Sequence, residues 1–240
     1  MEADAALLED NLLLFDRAQR WKAYFRARIE PCLRGRVLEV GAGIGANAAA
    51  LLTPDVEHWL CLEPDPRLAA RIRGRLAANS LARRCRVLVG TLQSLRAAPH
   101  FDVVIYLDVL EHIEDDRGEL LRAAERLAPG GHLAVLSPAY PALYTEYDAK
   151  IGHHRRYTRA SLRAVAPQSL REERLENLDC IGALASLANR LLLRQGEMGA
   201  RQLQLWDRAM VPVSRVVDPL LGRAVGRSVL GIWRKPAGGG

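Results

Sequence analysis

Residues 36–47, RVLEVGAGIGAN, determine the fold that the sequence predicts. An apolar run is followed by Gly41, Gly43 and Gly45, which lead into an Ala-rich stretch that favours a helix. Small residues between a strand and a helix permit a tight turn and leave helix N–H groups pointing at a ligand. With Ala46 the glycines also fit the G-x-G-x-x-A pattern, so the motif alone leaves a dinucleotide dehydrogenase open.

Apolar and helix-forming segments alternate on both sides of this motif. Apolar runs predict further strands at 57–63, 85–90, 101–108 and 132–138, within 169–179 and at 227–235. Helical spacing predicts helices at 6–30, 45–52, 66–79, from Asp116 to Pro129, at 158–166 and over most of 181–226. Such alternation favours right-handed crossovers and a parallel sheet covered on both faces. The predicted fold is α/β and Rossmann-like, a seven-stranded, mostly parallel sheet with an N-terminal helical cap and a helical insertion before the last strand.

The composition excludes several classes of protein. The 240 residues carry a formal net charge of +6, but the basic residues are spread along the chain without a run of five or more, so no nucleic-acid partner is predicted. The N-terminus lacks a basic stretch followed by an apolar run, and no apolar window of 18 residues occurs. The four cysteines show no paired spacing. These features predict a cytoplasmic protein with reduced thiols and no integral membrane segment.

An acidic residue follows the glycine motif at an informative distance. Glu63 ends the second predicted strand, 22 residues after Gly41. At this place a carboxylate can accept both hydroxyls of a ribose. NAD and S-adenosyl-L-methionine (SAM) both carry such a ribose, so Glu63 by itself does not choose between them.

Four motifs taken together decide between the two cofactors. They are LEVGAGIG, LEPD, FDVVIYLDVLEHI and LAPGGHLAVLSP, at 38–45, 62–65, 101–113 and 127–138. In this order and spacing the sequence resembles the class I SAM-dependent methyltransferases over residues 36–140. The resemblance implies SAM as cofactor and S-adenosyl-L-homocysteine as product. It also implies a single domain over 1–240, made of a helical cap (1–34), a SAM-binding core (35–137) and an acceptor side (138–236).

The resemblance also implies which residues bind the cofactor. Glu39 and the glycine loop contact the methionine part of SAM, Glu63 binds the ribose, and Asp108 lies near the methionine end. The full implied set is Glu39, Gly41, Ala42, Gly43, Gly45, Glu63, Pro64, Thr91, Leu92 and Asp108. Thr91 departs from the family pattern, because many members have an acid there that faces the adenine amine.

Three residues are candidates for catalysis. Methyl transfer from a sulfonium requires alignment of the acceptor, and it requires a base only when the acceptor is a hydroxyl or a protonated amine. His112, His154 and Tyr157 are the predicted catalytic residues, although His112 has an alternative role in packing the cofactor loop. No metal is predicted: His112 and Asp115 have no evident third ligand, and adjacent histidines diverge by about 100° on a helix.

The segment 138–157 is predicted to bind the acceptor. It leaves the fifth strand at the carboxyl edge of the sheet, where α/β proteins bind ligands. Four of the six tyrosines and two of the six histidines fall in it, a concentration typical of a binding loop. The predicted acceptor-binding residues are Tyr140, Tyr144, His153, Arg155 and Arg156. The alternative is that both arginines pair with Asp148 and Glu146 and only fix the loop.

A narrower resemblance concerns residues 138–162 and 226–236, which contain GHHRRYT and RSVLGIWRKP. They are similar to a bacterial methyltransferase subgroup whose genes accompany glycosyltransferases and pathways for glycans or secondary metabolites. This implies methylation of an oxygen or nitrogen of a natural product, sugar or glycoconjugate. The alternatives are a catalytically silent SAM-binding partner and an NAD-dependent oxidoreductase. The insertion 181–226 is predicted to form a lid, a homodimer contact or a peripheral membrane contact, so a monomer and a homodimer both stay open.

Overall fold

The computed structural model describes residues 2–79, 81, 83–95, 100–193 and 199–237. Its strands are β1 (Gly35–Val40), β2 (Val56–Glu63), β3 (Cys85–Val89), β4 (Phe101–Leu107), β5 (Leu127–Pro138), β6 (Arg171–Leu178) and β7 (Ser228–Arg234). They form one seven-stranded sheet in the order β3-β2-β1-β4-β5-β7-β6. β7 is antiparallel to both of its neighbours, and the other pairs are parallel. The predicted α/β fold class is confirmed.

Helices cover both faces of the sheet. They are α1 (Glu2–Asp16), α2 (Gln19–Ile29), α3 (Ala46–Leu51), α4 (Pro66–Ala78), α5 (Asp116–Glu125), α6 (Glu146–Lys150), α7 (Arg159–Val165), α8 (Cys180–Ala188), α9 (Ala200–Leu205) and α10 (Val211–Leu220). Successive side chains of a strand point to opposite faces. Val103 and Ile105 of β4 accordingly join the apolar cluster under α2, while Val104 and Tyr106 join the cluster under α5. No described helix is long and apolar enough to cross a bilayer.

Two predicted boundaries are wrong. The single helix predicted at 6–30 is two helices that break at Arg17 and Ala18, where Lys22 Nζ donates to the Asp16 backbone oxygen at 3.0 Å. The helix predicted from Asp116 does begin at that residue, and Asp115 caps it with an Oδ1 that accepts from Gly118 N at 2.9 Å. That helix ends at Glu125, and β5 begins at Leu127, five residues before the predicted strand.

Parallel strands place their carboxyl ends at one edge of the sheet. β1, β2 and β4 end there at Val40, Glu63 and Leu107, and β5 leaves the sheet at Pro138. The glycine loop, the acidic end of β2 and the His-rich segment therefore share one edge, which is where doubly wound folds bind ligands.

Candidate functional site

The glycine loop follows β1 directly and is fixed by the neighbouring strand. Gly41 N and Ala42 N both donate to the Leu62 backbone oxygen, at 2.8 and 3.1 Å. Gly41 has a φ of +67°, and a Cβ there would lie 2.7 Å from Val109. Only glycine meets both conditions without strain, so the loop keeps its backbone open toward the edge of the sheet.

Glu63 is tied to this loop through both carboxylate oxygens. Oε2 accepts from Gly43 N at 2.7 Å, and Oε1 accepts from Asp65 N at 2.9 Å. Burial raises the pKa of Glu63, although the two backbone hydrogen bonds counteract it. A carboxylate offers about four acceptor positions, so each oxygen retains one for another donor. The carboxylate thus holds the loop and can still accept ribose hydroxyls.

The other predicted cofactor residues lie at different depths. Glu39 is buried under the loop, where its Oε2 accepts from Trp59 Nε1 at 2.9 Å and burial raises its pKa to about 7. Pro64 and Thr91 are exposed near Glu63, whose backbone oxygen accepts from Gly90 N at 3.0 Å. The side chain of Leu92 is 1% exposed and belongs to the core, so only its backbone is available to a ligand.

A cavity of about 230 Å³ connects the glycine loop to the His-rich segment. Residues 41–43 line one side of it, and Asn11, Leu12 and Phe15 of α1 cover it. Asp108 follows β4 with a φ of +54° and lines the cavity with an exposed side chain, and partial desolvation by the cavity walls raises the pKa of its carboxyl to about 6. Volumes of 300–1,000 Å³ are usual for whole small ligands, so this enclosed part suits one end of a ligand.

Three residues that bear polar groups meet in this cavity. Glu111 and His112 follow β4 in a short turn, and His153 approaches them from the segment after β5. The rings of His112 and His153 meet edge to face with centroids 4.6 Å apart, and His153 Nε2 lies 3.9 Å from Glu111 Oε1. Burial, together with the neighbouring His153, lowers the pKa of His112 to about 4, so this ring is neutral at neutral pH.

Glu111 is the least solvated of the three. It is 0% exposed, and neither carboxylate oxygen has a hydrogen-bond donor among the described residues. Burial raises its pKa well above the usual range, and the nearby Asp108 charge acts in the same direction. A buried carboxylate without a donor costs free energy, so Glu111 calls for a ligand or a proton.

Asp148 holds the His-rich segment together. Its Oδ1 lies 2.9 Å from His153 Nδ1, and Arg156 donates to both of its oxygens at 2.9 Å. Thr145 adds a backbone donor at 2.7 Å. Although burial raises the pKa of Asp148, the His153 hydrogen bond and the Arg156 charge hold it well below its usual range. His153 and Arg156 therefore reach the cavity in fixed positions.

The structure corrects the two other choices of catalytic residue. His154 is exposed and does not line the cavity, and its backbone N donates to Glu111 O at 2.8 Å. Tyr157 is 2% exposed, and its hydroxyl donates to Asp116 Oδ2 at 2.7 Å on the far side of the loop. Neither group lines the cavity.

The predicted acceptor-binding residues divide in the same way. Arg155 pairs with Asp116 at 2.8 Å and donates to Glu114 O, so it fixes the loop. Tyr144 donates to His153 O at 2.6 Å and positions that residue. Tyr140 lines a separate surface groove beside Thr158. Of the five, His153 and Arg156 line the cavity.

Sequence reasoning missed several residues that line the cavity, among them Lys22, Glu111, Trp206 and Arg227. The Arg227 guanidinium lies over the Trp206 ring, 4.8 Å from its centroid. Arg227 directly precedes β7 and Trp206 belongs to the insertion, so no local pattern connects them with the glycine loop. Glu111 stands beside His112 in the motif LEHI, which is a signal that could have identified it.

Residues 38–133 match the family model described as a methyltransferase domain. The sheet order and the glycine loop agree with this match, so the chain carries a methyltransferase domain over residues 38–133.

The chain is similar to several methyltransferases, and their names mention different acceptors. Over 133 residues the chain is 34% identical to the ribosomal RNA small subunit methyltransferase C of Klebsiella pneumoniae, which covers 52% of this chain and 38% of that protein. A putative sarcosine dimethylglycine methyltransferase from Galdieria sulphuraria is similar with a TM-score of 0.62, at 19% identity over 92% of this chain and 86% of that one. The N-methyltransferase NodS from Bradyrhizobium japonicum WM9, in complex with S-adenosyl-L-homocysteine, is similar with a TM-score of 0.57. The identity is 17%, and the similarity covers 89% of this chain and 84% of that one. The last two similarities show the fold.

Proposed function

We propose that this protein transfers the methyl group of SAM to an oxygen or nitrogen of a small-molecule acceptor, a natural product, a sugar or a glycoconjugate. One observation carries the proposal: a single cavity is lined by residues 41–43 at the donor side and by His112, His153 and Arg156 at the other. Donor and acceptor bound at these two sides meet inside it, which is the main requirement of an in-line methyl transfer.

The cavity contains groups suited to each ligand. Lys22, held by an ion pair to Asp16, and Arg227 supply positive charge that suits the carboxylate of the methionine part. Glu63 accepts the ribose hydroxyls. His112 is a weak base at a pKa of about 4, because an efficient general base has a pKa near the working pH. His112 therefore serves to position the acceptor, and His153 and Arg156 complete the acceptor side.

The helical insertion belongs to the same proposal. It presents exposed apolar side chains, among them Leu184, Leu187, Val216 and Leu220. We assign this surface to a homodimer contact or to a peripheral contact with a membrane that holds a lipid-linked acceptor. Light scattering distinguishes a monomer from a homodimer, and co-sedimentation with anionic vesicles tests the membrane contact. A cytoplasmic location and a single domain over residues 1–240 complete the proposal.

A second candidate is an RNA acceptor. The 34% identity to a ribosomal RNA methyltransferase and the formal net charge of +6 favour it. Against it, Arg156 at the cavity pairs with Asp148, and the adjacent Arg155 outside the cavity pairs with Asp116. Phosphate contacts would require free basic side chains around the cavity.

The test uses calorimetry and a labelled methyl group. SAM and S-adenosyl-L-homocysteine should bind, and NAD should not. Label from methyl-labelled SAM should then appear in the low-molecular-mass fraction of a cell extract and not in ribosomal RNA. Label in RNA would support the second candidate, and binding of SAM without transfer to either fraction would support a catalytically silent partner protein.

A further inference from the structure

We propose that Glu111, His112 and His153 form a binding site for a divalent transition-metal ion that holds a hydroxyl oxygen of the acceptor. The binding site stands on the geometry of these three residues, whereas the role of the ion in methyl transfer rests on the proposed function. The sequence predicts no metal, since the third ligand comes from a segment 41 residues after His112.

The three side chains offer one ligand atom each in a common position. A carboxylate oxygen and two imidazole nitrogens lie within 4.8 Å of one another. Ligand atoms about 2.0–2.2 Å from one ion lie at most about 4 Å from each other. Glu111 Oε1 and His153 Nε2 lie 3.9 Å apart, so small side-chain rotations complete the set.

Glu111 provides an independent indication of a ligand. It is 0% exposed and lines the cavity, yet both of its oxygens are without a hydrogen-bond donor among the described residues. Structural carboxylates that are this deeply buried are paired or bind metals. Asp148 and Glu63 in this same protein show the usual arrangement, because donors occupy both oxygens of each.

His153 has the outer partner that a metal-ligating histidine has. Its Nδ1 lies 2.9 Å from Asp148 Oδ1, which leaves Nε2 directed at Glu111. A carboxylate behind the ring fixes its orientation and makes the other nitrogen a better ligand. Two Arg156 hydrogen bonds and the Thr145 cap hold Asp148 in turn.

The ligand set favours a particular class of ion. One carboxylate and two imidazoles suit Zn²⁺, Mn²⁺ or Fe²⁺, whereas Mg²⁺ and Ca²⁺ prefer sites made of oxygens. Three protein ligands leave further coordination positions open, and a catalytic ion needs such positions. They face the cavity, where the acceptor is proposed to bind.

The ion has a defined role in the reaction. A hydroxyl oxygen bound to it loses its proton more readily, because the cation stabilises the resulting anion, and the proton passes to solvent. That oxygen forms a bond to the methyl carbon of SAM as the carbon–sulfur bond breaks. Sulfur keeps the electron pair and becomes the neutral thioether of S-adenosyl-L-homocysteine. The inference narrows the acceptor to a hydroxyl compound.

The experiment measures Mn²⁺ binding directly, by electron paramagnetic resonance and calorimetry on chelator-treated full-length protein. The wild type should bind one Mn²⁺, and Zn²⁺ should displace it. E111Q and H153Q should weaken Mn²⁺ binding by at least about 100-fold, and Asp148→Asn by about 10- to 100-fold. H58Q, which removes an exposed histidine of β2, is the matched control and should bind as the wild type does.

Thermal unfolding and SAM calorimetry on the same variants separate the possible failures. If E111Q and H153Q fold and bind SAM but no longer bind Mn²⁺, the metal site is supported. No stoichiometric Mn²⁺ binding by a wild type that binds SAM overturns the metal site and leaves the proposed function intact. Equal Mn²⁺ affinity in wild type, E111Q and H153Q also overturns it, because the ion is then held elsewhere. A wild type that binds Mn²⁺ but not SAM contradicts the proposed function alone.

Discussion

Nδ1 of His153 lies 2.9 Å from Oδ1 of Asp148, while the neighbouring His154 projects into solvent. The segment GHHRRY thus divides its side chains between two sides of one loop. His153 and Arg156 reach the cavity, and Arg155 and Tyr157 attach the loop to Asp116. Binding and anchoring are therefore separate tasks of adjacent residues, and they can be separated by substitution.

The two adjacent histidines should differ sharply in their effect on activity. His153→Gln should reduce methyl transfer by about 100-fold or more, because it removes a ring that lines the acceptor side of the cavity. His154→Gln should stay within about twofold of the wild type, because its ring is exposed. Steady-state kinetics with saturating SAM measures both. A severe loss in the His154 variant with a mild one in the His153 variant would reverse the assignment.

Tyr157 should contribute to stability and not to catalysis. Tyr157→Phe removes a buried hydrogen bond of 2.7 Å to Asp116 and should lower the free energy of unfolding by about 1–3 kcal/mol. Urea unfolding measures the loss of stability. At urea concentrations too low to unfold the protein, kcat should be unchanged. Lost activity at unchanged stability would show that the hydroxyl acts on the acceptor.

Glu63→Ala should weaken SAM binding by about 2–4 kcal/mol, which is about 30- to 700-fold in affinity. Part of this loss comes from the glycine loop, since the same carboxylate accepts from Gly43 N at 2.7 Å. Calorimetry measures it, and Glu57→Ala, an exposed acid on the same strand, is the matched control. Affinity equal to that of the control would exclude Glu63 from the cofactor site.

Glu39 should make stability depend on pH. Burial raises its pKa from 4.5 to about 7, so the folded state binds the proton more tightly than the unfolded state does. The free energy of unfolding therefore falls between pH 4.5 and 7, by about 3 kcal/mol at most, and is level above that range. Glu39→Gln should make the decline shallower by this amount, since Asp108 and Glu111 also have raised pKa values and keep their own share, while the exposed Glu57→Gln should retain the whole decline. Urea unfolding at pH 5, 6, 7 and 8 measures it, and parallel curves for wild type and Glu39→Gln would refute the assignment.

The fold was predictable because its signals are local. A run of apolar residues predicts each strand, and the glycine loop follows the first strand. The break at Ala18 was not predictable from periodicity, because the helical spacing of apolar residues continues through it and only the folded chain shows the Lys22 hydrogen bond to the Asp16 backbone. Element types were therefore easier to predict than boundaries.

The location of the candidate site was predictable from the sequence, but the residues that line it were less so. Sheet topology requires residues 138–157 to lie at the ligand edge, which follows from chain order. Which of two adjacent histidines turns inward depends on Asp148, Thr145 and Arg156, and sequence spacing does not contain that information. Arg227 and Lys22 reach the cavity from opposite ends of the chain, so only the folded arrangement brings them together.

Helix α1 covers the cavity and is attached by polar contacts in addition to the packing of Leu14 and Phe15 on the core. Tyr147 donates to Asn11 at 3.0 Å, and Glu9 and Asp16 form ion pairs with Arg71 and Arg75 of α4. The product S-adenosyl-L-homocysteine cannot dissociate past α1 until these contacts break. We therefore expect product release to limit turnover. Because salt screens surface ion pairs, the off-rate of the product should rise with ionic strength. When the product is bound, amide hydrogen exchange in α1 should be slower, because the helix then stays in place over the cavity.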